Sequence, residues 1–519
     1  MHTTPIDPDK PTDAAAGVSK DLGPEIMIGL VGPVGVDFDQ VVAVLREVLS
    51  SVHYTCEEIR LSQLLHDLGR WPSLEKPMFE DERIHAHMDA GNEFRELLKA
   101  GDALALLAIG AIRECRLDTT GDERIPCQRK AFLLRSLKHP DEVATLRRIY
   151  GLRFVLISAS AKREMIVKSM ARRIADSHNS MQSHEYLEYA EKLIRRDESE
   201  LKEYGQNVRG TFPLADLFVN VNEPAEMRRA IMRFVEAVFG YPFPTPRRDE
   251  YAMFHAQAAA LRSAQLGRQV GAAIATEEGE IIAVGTNEVP KAHGGLYWEG
   301  DEPDRRDHVL GYDSSDAMKR RAFADILSKL HESGWLAPDK SDKDIETLVE
   351  EALKQTPIKG TQLMNSVEFM RAVHAEMAAL INAAARGVSV KGSVLYATTF
   401  PCHDCAKHIV AAGISRVVYI EPYPKSLAAE LYPDSVAVEG KGDSATQVPF
   451  DPFVGIAPRK YIELFTMDKR KDQEGKAVNW DRTTAFPRSL RYTPSLYPLR
   501  EAFYYEKFQE DMIKAGLSS

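Results

Sequence analysis

His374-Ala375-Glu376 and, 26 positions after that glutamate, Pro401-Cys402-His403-Asp404-Cys405 are the residues of this chain whose types and spacing can do chemistry together. One imidazole and two thiolates make a soft-to-borderline donor set suited to Zn2+, and three ligands leave one tetrahedral position open. An open position marks a catalytic metal rather than a structural one. Glu376, at a helix start two residues past the histidine, falls beside that position rather than on the metal, where a carboxylate can take a proton from water and deliver it elsewhere. Cys402 and Cys405 open a second helix, whose dipole favours thiolate over thiol. A structural zinc would need a fourth ligand, for which His403 and His408 are the candidates, and a C-x-x-C taken alone also reads as a redox pair or half of a structural site.

The elements that must position these groups are legible in the apolar pattern. Glu250 to Leu266 reads as a helix, and Val270–Ala275 and Glu280–Val284 as strands joined by a tight turn at Glu277-Glu-Gly279. Ser366–Arg386 reads as a helix, Val394–Thr398 as a strand, Cys402–Gly413 as a helix and Arg416–Ile420 as a strand. Residues 290–365 are polar and weakly patterned, an insertion with helices at Ala317–His331 and near Lys343–Gln355. Upstream, Tyr241-Pro-Phe-Pro-Thr-Pro246 places three alternate prolines where neither a helix nor a central strand can run, so 241–249 is predicted to be a linker.

Before that linker, Ile26–Val31 reads as a buried strand, Gly32-Pro-Val-Gly35 as a turn, and Asp37 as the N-cap of a helix over Phe38–Leu49. Apolar runs at Ala131–Leu134, Arg153–Ile157 and Asp216–Val219 alternate with helices ending at Tyr150 and running over Glu223–Phe239. Such alternation implies a parallel α/β sheet. The predicted organisation is a disordered lead over 1–23, a domain over 24–240, a second domain over 250–467 and a C-terminal extension over 468–519 with a helix at Leu499–Ala515.

Composition excludes several classes. The 519 residues are 44% hydrophobic and 28% charged, enough apolar material for real cores and far from a disordered composition. The 66 basic and 77 acidic residues give a net charge of −11, and neither half is basic, which argues against a protein built to hold long nucleic acids. A basic stretch, Lys469-Arg-Lys471 with Arg482, Arg488 and Arg491, is the local feature that would favour a polynucleotide. No apolar run reaches the roughly 18 residues of a spanning helix, and the N-terminus has no basic-then-apolar leader, so a cytoplasmic location is expected. Five cysteines, an odd number, make a disulfide framework an unsuitable reading.

The order H-x-E…P-C-x-x-C resembles the signature of the zinc nucleobase deaminases. The stretch from Leu395 to Ile420 and the segment Arg268-Gln-Val-Gly-Ala-Ala-Ile274 are similar to the deoxycytidylate deaminases, a resemblance covering about 250–467. It implies a cytidine deaminase-like αβα domain, His374, Cys402 and Cys405 as zinc ligands, Glu376 as the catalytic acid and base, and a free deoxycytidine nucleotide as substrate. It also implies that Asn287, in Gly285-Thr-Asn287, holds the sugar hydroxyl, whereas the residues alone equally describe a turn asparagine. Lys291, His293, Arg305 and Arg306 are the phosphate candidates within the insertion. Relatives of this fold often form homo-oligomers.

Ile28-Gly-Leu-Val-Gly-Pro-Val-Gly35 follows a strand and opens a helix, as a phosphate-cradling loop does, and makes Gly29, Gly32 and Gly35 the nucleotide-binding candidates. The lysine that usually ends such a loop is missing, since Val36-Asp37-Phe38 stands there. Arg195-Arg-Asp-Glu198 and Tyr204 to Arg209 resemble the lid of nucleotide kinases, so the first domain is identified as a degenerate P-loop kinase-like αβα fold able to take a regulatory nucleotide. Fused to a deaminase-like domain, it resembles the bacterial anti-phage dCTP deaminases, which implies conversion of dCTP to dUTP during infection. Housekeeping deamination of dCMP and editing of RNA or single-stranded DNA are the competing readings.

Overall fold

The computed structural model describes residues 23–517, except 77, 201, 355–357, 359, 424, 440–445, 468 and 489–495. The lead at 1–22 and Arg491 therefore lie outside the described residues. The chain divides into two compact units, one formed by residues up to Thr245 together with Lys460–Ser519, the other by Pro246–Arg459. The segment expected as an appended extension after 468 thus belongs to the first unit. Among the described residues no helix is long and apolar enough to cross a membrane.

The first unit is built on a parallel sheet of β1 (Ile26–Val31), β2 (Thr55–Arg60), β3 (Lys130–Arg135), β4 (Phe154–Ser160) and β5 (Leu217–Asn220). Its strands run in the order β2-β3-β1-β4-β5. All six residues of β1 are buried, as expected of a central parallel strand covered on both faces. Helix α1 (Phe38–Ser50) follows the glycine turn, and Asp37 caps it by accepting from the Gln40 amide at 3.1 Å. Helices α2 (Glu80–Leu98), α3 (Ala103–Thr120), α4 (Pro140–Tyr150), α5 (Arg163–Ser177), α6 (Leu187–Glu198) and α7 (Pro224–Val238) complete it. A C-terminal helix, Tyr497–Lys514, returns to this unit and buries Tyr497, Phe508 and Met512.

The second unit has a mixed sheet of β6 (Gly271–Ala275), β7 (Ile281–Thr286), β8 (Val394–Thr399), β9 (Arg416–Glu421), β10 (Val436–Val438) and β11 (Val448–Pro452), in the order β10-β11-β9-β8-β6-β7. Strand β6 is antiparallel to β7 and β8, and β8, β9, β11 and β10 are mutually parallel. Helix α8 (Arg248–Ala260) lies so close to β6 that a Cβ on Gly271 would stand 1.9 Å from the Ala256 carbonyl. A Cβ on Gly285 of β7 would likewise stand 2.1 Å from the Ala375 carbonyl of the helix that carries Glu376. In the β6–β7 register Gly271 faces Thr286 and Gly285 faces Ala272, so the two glycines point to opposite faces and admit one helix on each. Helices α9 (Ser314–Glu332) and α10 (Ile345–Leu353) form within the 290–365 insertion.

Candidate active site

Two helix starts and one bridge assemble the site. The helix expected over Ser366–Arg386 is shorter: α11 runs from Ala375 to Ala385, with His374 as its extended N-cap. Its upstream extension is prevented by pairing, because the backbones of Glu288 and Val373 bond to each other and hold 373 in an extended conformation. His374 is thereby the turning point between bridge and helix, and Glu376 lies in the first turn, 4% exposed. Helix α12 (His403–Ala411) starts at Cys402, whose sulfur accepts from the Cys405 amide at 3.4 Å.

The three predicted ligands converge. His374 Nδ1 lies 3.3 Å from Cys402 Sγ and 3.3 Å from Cys405 Sγ, and the three ligand atoms all fall within 4.8 Å of one another. Atoms so spaced can each stand about 2.0–2.3 Å from one shared zinc ion. His403 and His408 are not members of the group, so the donor set is three and not four among the described residues. The metal-free electrostatics also suit a cation. The Cys405 thiol is pushed up by its hydrogen bond to Cys402 and by burial, while that hydrogen bond and the adjacent His374 hold the Cys402 thiol well below its ordinary range and favour its thiolate. Burial opposes charge on His374, yet that thiolate outweighs it and lifts the imidazole to about 9. Burial raises the Glu376 carboxyl to about 7 against the pull of His374, a value at which it both accepts and gives a proton near neutrality.

A cavity of about 320 Å3 opens over this group, with His374, Glu376, Cys402, Asn287, Phe400 and Tyr423 among its walls. Asn287 is buried, and its side chain is committed to the chain beside it, Oδ1 accepting from the Val270 amide and Nδ2 donating to the Arg268 carbonyl, both at 2.7 Å. It therefore shapes the cavity rim as well as facing it. Among the phosphate candidates, Lys291 pairs with Asp301 at 2.7 Å and Arg306 with Asp304 at 2.6 Å, and neither they nor His293 and Arg305 line the cavity. The cations in the wall are Arg268 and Lys425, which sequence reasoning missed; both stand next to motif strands, and only the fold turns them to the same opening. Glu288 was missed too. Fully buried, it accepts from the amides of Ala264 and Val289 at 2.9 and 2.8 Å and fixes the loop leading to Arg268.

In the first unit the three glycines do different work. Gly29 lies inside β1, where a Cβ would meet the side chains of Leu137 and Phe154, and Gly32 admits the Ala159 carbonyl. Gly35, at φ +98°, borders a cavity. Arg195 pairs with Glu191, and Arg196 with Asp89 and Glu200, so these two lid-like arginines are occupied within the surface. In the basic C-terminal stretch, Arg470 and Arg488 donate to the carbonyls of Pro242 and Thr466 at 3.1 and 2.6 Å, and Arg482 pairs with Glu236.

Comparison with known proteins agrees with the site. Residues 246–421 match the family model for the cytidine and deoxycytidylate deaminase zinc-binding region. A deoxycytidylate deaminase of Enterobacteria phage T2 is 46% identical over 54 residues, 10% of this chain and 29% of that protein. The chain thus spans less than a third of that relative. A probable deoxycytidylate deaminase of Drosophila melanogaster is 28% identical over 224 residues, 42% of this chain and 84% of that one. The structure of a dCMP deaminase from cyanophage S-TIM5 with dCMP and dUMP is similar at 20% identity and a TM-score of 0.22, over 41% of this chain and all of that one. The match over 246–421 is to a zinc-binding region, and the grouped His374, Cys402 and Cys405 within it are a donor set that fits zinc.

Proposed function

We propose that this protein is a zinc-dependent hydrolase that deaminates deoxycytidine nucleotides, with dCTP to dUTP as its reaction and depletion of dCTP during phage infection as its role. The observation that carries the deaminase reading is geometric: the ligand atoms of His374, Cys402 and Cys405 lie within 4.8 Å of one another, and the buried Glu376 carboxyl stands in the wall of the cavity that His374 and Cys402 also line. Zinc held by His374, Cys402 and Cys405 supplies the Lewis acidity that makes water nucleophilic at neutral pH. Glu376 accepts one proton of the attacking water and passes it to the ring nitrogen beside the amino-bearing carbon, then carries the proton of the newly added hydroxyl to the amine, so that the C–N bond breaks, ammonia leaves and the ring carbonyl forms. Asn287 faces the sugar, and Phe400 and Tyr423 give the base an apolar wall.

Arg268 and Lys425 are the groups we assign to the phosphates. Arg268 is 55% exposed and held by Glu421 at 3.0 Å, which leaves part of its guanidinium fork for a ligand. The triphosphate assignment rests on the pairing of the deaminase region with a glycine-turn α/β unit, whose β2-β3-β1-β4-β5 order supports a P-loop kinase-like reading without the loop lysine. A second reading, dCMP to dUMP, is favoured by the names of the curated relatives, which are deoxycytidylate deaminases. Ammonia release from dCMP, dCDP, dCTP and CTP, each given separately to zinc-loaded protein, decides between them. Preference for dCTP supports nucleotide depletion, preference for dCMP moves the protein to pyrimidine supply, and silence on all four defeats both.

A further inference from the structure

The first unit holds a cavity of about 230 Å3 at the carboxyl ends of β1, β2 and β3. Ligands of open α/β sheets bind at that edge. Six cationic side chains line it, Arg60, Arg83, Arg95, Arg135, Lys138 and Arg173, against one carboxylate, that of Asp197. Arg60 and Arg135 share Asp39 and Glu58, Arg83 and Arg173 share Glu80, and Arg95 Nη2 lies 3.3 Å from Glu142, but none of those acids belongs to the cavity wall. The glycine turn contributes the Val34 amide, which donates to Asp197 Oδ2 at 2.7 Å. Lys138 Nζ donates to the same oxygen at 2.8 Å and also touches the Gly32 carbonyl at 3.3 Å.

Two buried charged atoms in this wall have no partner among the described residues. Asp197 is fully buried, yet its Oδ1 accepts nothing, and Arg95 is fully buried, yet its Nε donates to nothing. Native structures seldom leave such groups unsatisfied without a functional reason. An amide and an ammonium converging on one anionic oxygen are the donor pair of a phosphate site, and the occupant of that position is the protein's own carboxylate.

We propose that this cavity binds a pyrophosphate-containing anion and that Asp197 holds its innermost anion position until a ligand phosphate replaces it. Phosphate is the better occupant because it brings several acceptor oxygens, whereas Asp197 leaves one of its two unused. The surrounding guanidinium groups supply the forked donors that phosphate oxygens take. Lys138, arriving from the β3 side, stands in for the lysine that the glycine turn lacks. Replacement of Asp197, rather than addition beside it, follows from charge: a phosphate against an ionised buried carboxylate would be repelled.

Titration calorimetry of the full-length zinc-loaded protein with inorganic pyrophosphate tests this. Asp197→Asn removes the competing charge and is expected to bind pyrophosphate at least tenfold more tightly than wild type. Arg173→Gln and Arg83→Gln change side chains that are 46% and 45% exposed, and both variants are expected to keep the wild-type melting temperature and to bind at least tenfold more weakly. Cys402→Ser is expected to bind it unchanged, which separates this cavity from pyrophosphate captured by the zinc. A parallel titration with dATP distinguishes the source: equal affinity means that the phosphate chain alone is read, and tighter binding means a nucleotide. No binding by wild type and Asp197→Asn, weaker binding by Asp197→Asn, or indifference to both arginine changes overturns the proposal. The readout is heat and pyrophosphate has no base to deaminate, so the result is independent of the activity of the second unit.

Discussion

Glu288 and Val373 exchange two backbone hydrogen bonds, Glu288 N to Val373 O at 3.3 Å and Val373 N to Glu288 O at 3.0 Å. This single bridge places Asn287 and His374, each one residue away, at the edge of the same cavity. The Glu288 carboxylate extends the arrangement by gathering the Ala264 and Val289 amides. Glu288→Ala leaves those donors without their acceptor in a buried place, at a cost of about 1–3 kcal/mol. The expected outcome is a lower unfolding midpoint and a raised KM, since the loop carrying Arg268 loses its anchor. An unchanged KM in variant that has lost stability would show that the loop does not serve the substrate.

Glu376→Gln separates metal binding from proton transfer. The amide fills the same buried space without titrating, and Glu376 is not one of the three grouped ligands. Zinc content by atomic spectroscopy is expected to stay at one per chain, while turnover falls by at least about 10²–10⁴-fold, the usual contribution of a positioned acid-base group. Retained turnover would remove Glu376 from the mechanism.

Removal of the metal should be visible in stability as well as in activity. Anything that binds the folded state alone raises its melting temperature, so dialysis against a chelator is expected to lower the transition of the second unit, and added zinc to restore it. Cys402→Ser and His374→Ala should melt at the chelated temperature with or without chelator. A chelator shift that persists in both variants would place the stabilising metal elsewhere.

Much of the second unit was legible in sequence because its chemistry is local. His374 and Glu376 share one helix start and Cys402 and Cys405 another, and the three donors meet with 3.3 Å between His374 Nδ1 and each sulfur. What stayed hidden depends on tertiary pairing. The bridge at Val373 shortened the helix expected from 366, although the sequence there is compatible with a longer one. Lys291 and Arg306, chosen by charge alone, are held by Asp301 and Asp304 ten and two residues away, while Arg268 and Lys425 meet only in the fold. In the first unit, β2, α2 and α3 were not anticipated; β2 is a sheet edge with mostly partly exposed residues, and α3 has no strongly one-sided apolar pattern. The return of the C-terminal helix was equally invisible, because its anchor is a charge cluster spread from one end of the chain to the other.

That cluster offers the last prediction. Arg116 of α3 is fully buried between Glu25, just before β1, and Glu501 of the C-terminal helix. Its Nη2 lies 2.8 Å from Glu25 Oε2 and its Nη1 2.5 Å from Glu501 Oε2, while the Tyr497 hydroxyl donates to Glu25 at 2.7 Å. Arg116→Met keeps the length of the side chain but leaves two carboxylates facing each other without a cation. Breaking a buried pair in this way costs about 3–5 kcal/mol. Replacing all three, Glu25→Gln and Glu501→Gln together with Arg116→Met, removes the unpaired charges and should recover much of that loss. Chemical denaturation of the single and triple variants measures both. Equal stability of Arg116→Met and wild type would mean that the C-terminal helix is held by its apolar face, through Phe508 and Met512, and not by this cluster.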